Sequence, residues 1–140
     1  MTSAETERTL TVLVYSDDAA VRSAVRTALG RRPAADLPRV EYVECATEPM
    51  VMRRLHDGGV DLAVLDGEAA PSGGMGIAMK MKREVFGAPP VLLLTGRPQD
   101  AWLATWSQAE AVVPHPIDPV VLAETAATVL RPRVALSAGS

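Results

Sequence analysis

A single cysteine, Cys45, is all that this 140-residue chain carries, so no disulfide can close within it. Its apolar surroundings, with no base or cation beside it in sequence, read as a small buried residue rather than a reactive thiol. No apolar run approaches the roughly 20 residues that span a bilayer. The polar, acidic start at residues 1–8 has no signal-peptide core. A cytoplasmic protein with no membrane insertion is expected. Lysine is nearly absent, Lys80 and Lys82 being the two, and acids outnumber bases 17 to 14 for a formal net charge of −3. That balance lacks the basic footprint of a direct nucleic-acid binder. Neither a GxGxxG nor a Walker phosphate loop occurs, and Gly73-Gly74-Met75-Gly76 is too weak a match to count as one. A flavin or nucleotide cradle of that kind is therefore disfavoured.

What is present is ordinary in amount, with 48% hydrophobic and 22% charged residues, and telling in order. Val60 and the run Leu62-Ala63-Val64-Leu65 stand between Gly58-Gly59 and Asp66-Gly67. That is the length and punctuation of a strand covered on both faces, as in the middle of a parallel sheet. A similar strand is expected from Thr9 to Tyr15, another at Val91-Leu92-Leu93-Leu94-Thr95, and a brief one at Ala111-Val112-Val113. Residues 40–45 alternate apolar and polar, like a strand nearer the sheet edge. Between them, Val21, Ala24, Val25, Ala28 and Leu29 recur at helical spacing. A second helix opens at Thr47 with Pro49 in its first turn and runs to about His56. A third carries Ile77, Ala78, Met81 and Val85 inward, and a short one covers 100–108. The last starts at Asp118 and runs to about Leu130, leaving 132–140 as a short flexible tail like 1–8. Strand then helix, five times over, is a single α/β domain over residues 9–131 with right-handed crossovers.

In such a sheet every strand leaves the core at one rim, where α/β folds place their ligands. The polar residues at those exits are Ser16-Asp17-Asp18, Asp66, Thr95 and His115. Carboxylates, a hydroxyl and a basic ring meeting in one crevice suit a hard divalent cation such as Mg²⁺ and the oxygens of a phosphoryl group. The matching chemistry is phosphoryl transfer onto Asp66. Each residue also has a plain structural alternative. Asp66-Gly67 and Thr95-Gly96 are common turn pairs, Ser16-Asp17-Asp18 supplies helix caps, and His115 lies in a turn between Pro114 and Pro116. Trp102 and Trp106, four apart, share a helix face. Either they serve as exposed anchors on a partner-binding side or at least one of them is core.

Taken in order, the acid after the first strand, Asp66, Thr95 and the turn His115-Pro116-Ile117-Asp118 resemble the receiver domain of bacterial two-component response regulators. The resemblance covers nearly the whole chain and implies a doubly wound (βα)5 flavodoxin-like fold with a five-stranded parallel sheet, order 2-1-3-4-5. It implies a non-enzymatic signalling protein, at most catalysing its own phosphorylation and dephosphorylation. A histidine kinase would be the phosphoryl donor and Asp66 the acceptor. Mg²⁺ would be held by Asp17, Asp66 and the backbone carbonyl of Glu68, with Asp18 or Ser16 reaching it through a water. Thr95 would bind the phosphoryl group and report its presence, and His115 would stand where the family has a lysine.

The sequence departs from that pattern in four places. Ser16 occupies the position of one acid of the family's pair. One extra residue lies between Asp66 and Pro71. His115 is shorter than a lysine and is half charged near pH 6.5 in its unperturbed state. Val112 stands where an aromatic switch residue is usual. Two functions follow. The first is a stand-alone phospho-accepting regulator that acts by altered protein binding, whether to another protein or as a homodimer. The second is a degenerate receiver, an interaction module independent of phosphate.

Overall fold

Strand β1, Leu10–Tyr15, is buried along its whole length, and the sheet grows outward from it on both sides. The computed structural model describes residues 8–97 and 102–139, with backbone alone for 103, 104 and 136–139. Helix α1 spans Ala19–Leu29, β2 Val40–Cys45, α2 Glu48–His56, β3 Leu62–Asp66 and α3 Gly74–Glu84. After these come β4 Val91–Thr95, α4 Leu103–Ser107, β5 Ala111–Pro114 and α5 Pro119–Gly139. All pairings are parallel and the strand order is β2-β1-β3-β4-β5, the doubly wound arrangement expected.

The strands are apolar on both faces because both faces are covered. Alternate residues point to opposite sides. Leu10, Val12, Val14, Leu62, Val64, Leu92 and Leu94 pack with Val25 and Leu29 of α1 and Leu122, Ala126 and Leu130 of α5. Leu13, Tyr15, Ala63, Leu65 and Leu93 pack instead with Val51 and Leu55 of α2 and Ile77, Ala78 and Met81 of α3. Side-chain caps start the helices: Asp18 Oδ1 accepts from Ala20 N, Thr47 Oγ1 from Met50 N, and Asp118 Oδ1 from Val120 N and Val121 N. Among the described residues, no helix is long and apolar enough to cross a membrane.

Arg8 and the turns after Leu130 are more firmly held than the sequence suggests. The last helix runs to Gly139 rather than stopping near Leu130, even though Pro132 removes one backbone donor inside it. Arg133 Nη2 donates to the Val60 carbonyl at 3.2 Å, and Val134 packs against the core, so the turns past Pro132 have tertiary anchors. Arg8, expected in the loose N-terminal tail, ion-pairs with Asp61 at 2.7 Å. Residues 1–7 lie outside the described residues, as does the start of the expected helix at 100.

Candidate functional site

The parallel registers carry the strand exits to one place. Tyr15 lies beside Leu65, Asp66 beside Leu94 and Thr95 beside Pro114. Ser16, Asp66, Thr95 and His115 therefore emerge side by side. One more ladder bond, His115 N to the Thr95 carbonyl at 2.7 Å, fixes where the histidine leaves the sheet.

Asp66 is 3% exposed and both its oxygens are engaged. Oδ2 accepts from Ser16 Oγ at 2.8 Å. Oδ1 accepts from Glu68 N at 2.9 Å and lies 3.1 Å from His115 Nε2. An ionised carboxylate only accepts, so the imidazole contributes the hydrogen. Ser16 is fully buried, and its hydroxyl also accepts from Asp18 N at 3.0 Å. The Thr95 hydroxyl, also buried, donates to the Arg97 carbonyl at a long 3.3 Å. Among the described residues no buried side-chain nitrogen or oxygen is left without a partner.

Asp17 faces the same loop from the other side, its Oδ1 accepting from Ala70 N at 3.2 Å. The carboxylates of Asp17 and Asp66 thus both grip the turn after β3. Asp18 spends one oxygen on the helix cap. The combined negative charge has a local consequence. Burial first, then Asp17, Glu48 and Asp66, push the Tyr15 phenol up. Its hydroxyl donates to the Ser72 carbonyl, tying the same loop to β1.

Two glycines are explained by close approach rather than by any phosphate loop. A Cβ on Gly74 would sit 2.8–2.9 Å from the carbonyl groups of Leu65 and Asp66, so α3 starts hard against the end of β3. A Cβ on Gly96 would meet the Glu68 carboxylate at 2.7–2.8 Å. The Glu68 side chain therefore lies across the end of β4, next to Thr95.

Among the described residues, no group of three or more His, Cys, Asp or Glu side chains could hold a metal ion. Mg²⁺ asks for less: one or two carboxylates, with waters and phosphate oxygens completing its shell. Two carboxylates anchored on one short turn are a donor set of that kind, so the residues present fit the ion.

Sequence reasoning missed Arg22. Its Nη1 donates to the Ser16 carbonyl at 2.7 Å, while its Nε pairs with Glu44 at 3.0 Å. An arginine on the polar side of α1, six residues past Ser16, is the signal that was available. Of the two tryptophans, Trp102 is 59% and Trp106 62% exposed, which removes the core alternative for both.

The chain is 58% identical over 122 residues to an uncharacterized response regulatory protein of Mycobacterium tuberculosis, found in strains H37Rv and CDC 1551. The match covers 87% of this chain and 92% of that protein. Among solved structures, chemotaxis response regulator CheY4 of Vibrio cholerae matches with TM-score 0.70 at 19% identity, over 88% of this chain and 100% of the other. The receiver domain of Francisella response regulator 1452 gives 0.74 at 13% identity, over 89% and 98%. The BeF3-activated DrrB receiver domain gives 0.67 at 20%, over 88% and 98%. At these identities the structural likeness is one of fold. No protein-family model matches the chain.

Proposed function

We propose, from the premise that this chain belongs to the response regulator family and carries its receiver fold, that it accepts a phosphoryl group on Asp66 and signals by altered protein binding. The supporting observation is the setting of Asp66. It is a nearly buried carboxylate at the end of β3, with Ser16 and His115 on its two oxygens and the Thr95 hydroxyl on the next strand. The donor is a phosphohistidine of a kinase. An Asp66 oxygen forms the new P–O bond as the P–N bond breaks, and the imidazole leaves with a proton.

Mg²⁺ on the carboxylates of Asp17 and Asp66 and the carbonyl of Glu68 would neutralise charge on the transferred group. The chain's own residues do the remaining work. His115 Nε2, now on Asp66 Oδ1, is placed to donate to a phosphoryl oxygen. Thr95 Oγ1 has only a 3.3 Å bond to give up when it turns to that group. The Glu68 carboxylate, lying over Gly96, adds negative charge beside Thr95. The output side carries Trp102 and Trp106, whose exposed rings suit a protein partner.

One observation favours the second reading, a phosphate-independent interaction module. Both Asp66 oxygens already hold donors, with Ser16 filling the place of a second acid. The site is thus held together without phosphate. Incubation with Mg²⁺ and a small acyl phosphate, followed by intact-mass measurement, separates the two. Gain of one phosphoryl group by the wild type and none by Asp66→Asn is the expected result. No gain in either leaves the interaction module.

A further inference from the structure

At the sheet edge away from β5, an open surface groove of about 420 Å³ lies between α1 and β2, with Ser23, Arg26, Thr27, Gly30 and Arg31 exposed along it. Ser23, Arg26 and Thr27 line it from α1, Gly30 and Arg31 from just past the helix, and Val40 and Tyr42 from β2. The i, i+3 and i+4 spacing puts the first three on one helix face. The volume falls within the roughly 300–1,000 Å³ of small-molecule sites.

The chemistry of this groove is one-sided. It is lined by two guanidiniums and two aliphatic hydroxyls and by no carboxylate. Glu44, the next carboxylate on that side of β2, is held by Arg22 and Arg26, each at 3.0 Å. The Tyr42 hydroxyl donates to the Gly30 carbonyl, and burial pushes this phenol up to about 12, so the groove wall gains no anion near neutrality. Arg26 lies 5.7 Å from the centre of the Tyr42 ring, an attractive cation–π placement that positions its guanidinium at the wall. Arg31 differs: among the described residues its side chain makes no hydrogen bond or ion pair. Arg26 is thus answered by Glu44, and Arg31 leaves one guanidinium at the wall with no counter-charge, in a chain of net charge −3.

We propose that the groove binds a small phosphate ester of mononucleotide size. Arg31 and the hydroxyls of Ser23 and Thr27 would take the phosphate, and Val40 and Tyr42 the organic part. A phosphate offers three terminal oxygens to a guanidinium fork and two hydroxyls, whereas a carboxylate would leave donors unmatched. The site shares no residue with the Asp66 crevice and stands or falls independently of it.

Calorimetric titration of the full chain with AMP, without Mg²⁺ and at low salt, tests the inference. Saturable binding is expected, weakened roughly tenfold or more in Arg31→Gln and unchanged in Asp66→Asn. Ser23→Ala is a second variant that should weaken binding, and Arg31 and Ser23 are both exposed, so neither substitution removes a core contact. Inorganic phosphate separates the sources: weaker binding than AMP supports an ester, and equal binding overturns it. The proposal is also overturned if AMP does not saturate, or if Arg31→Gln and Ser23→Ala both bind like the wild type.

Discussion

Ser16 donates a 2.8 Å hydrogen bond to Asp66 where a second acid would repel it. A neutral donor stabilises the ionised, nearly buried Asp66, and it lowers the negative charge available to a cation. Stability of the empty site and affinity for Mg²⁺ are thereby set against each other.

Ser16→Ala should lower unfolding free energy by about 1–3 kcal/mol, because a buried carboxylate oxygen and the Asp18 amide each lose a partner. Ser16→Asp should also be less stable without Mg²⁺, since like charges would be packed together. Adding Mg²⁺ should raise the melting temperature of Ser16→Asp more than that of the wild type. Thermal unfolding with and without the ion checks both, and an equal response would show that residue 16 does not face the cation.

Gly74 and Gly96 look alike in sequence and should behave differently. In Gly74→Ala the new methyl meets main-chain carbonyls of β3, which cannot move aside, so a loss of about 1–3 kcal/mol or more is expected. In Gly96→Ala it meets the tip of the Glu68 side chain, which can swing away, and stability should change little. Urea unfolding of the two variants side by side is the measurement.

His115→Ala should reduce labelling of Asp66 by acyl phosphate roughly tenfold or more if the ring donates to the transferred group. His115→Lys should retain labelling. Intact-mass time courses report both, and labelling of His115→Ala at the wild-type rate would remove the ring from the reaction.

Alkaline titration should find both tyrosines slow to ionise. Tyr42 is pushed up to about 12, mainly by burial and against the pull of Arg26, and Tyr15 is also raised, mainly by burial. A folded-state pKa above the unfolded value of about 10 means that the protonated form favours folding. For Tyr42 that contribution is complete below about pH 10 and is lost as pH rises through about 12. Phenolate absorbance should therefore stay low at pH 10.5 in the native protein and appear at once in denaturant.

Trp102 and Trp106 should both be quenched by iodide in the free protein, given exposures of 59% and 62%. A partner docked on that side should protect them, so quenching doubles as a binding assay.

The parallel sheet and the meeting of Asp66, Thr95 and His115 at its rim were legible because uninterrupted apolar runs of strand length leave few alternatives to a covered parallel sheet, whereas the strand order came from the resemblance to receiver domains. What each polar group does at the rim was not legible. Ser16, Asp17 and Asp18 are adjacent in sequence, yet one holds Asp66, one holds the Ala70 amide and one caps a helix. Only the direction in which the chain turns after β1 separates those roles. The continuation of α5 was hidden for a related reason. Pro132 signals a stop, and the anchors that override it, Val60 and Asp61, lie far away in sequence.

Asp61 is a nearly buried carboxylate at the opposite end of β3 from Asp66, and it receives Arg8 at 2.7 Å and Arg133 at 3.6 Å. Side chains from the start of the described chain and from its last helix thus meet on one atom, Oδ1. From Arg133 to Gly139 the helix advances only about 9 Å further. A short flexible linker should therefore join Gly139 to Arg8, with the chain reopened at the exposed Phe86-Gly87 turn, where Gly87 has φ +66°. Such a circular permutant should refold to the same sheet and unfold cooperatively, with the Asp66 rim untouched at the far pole.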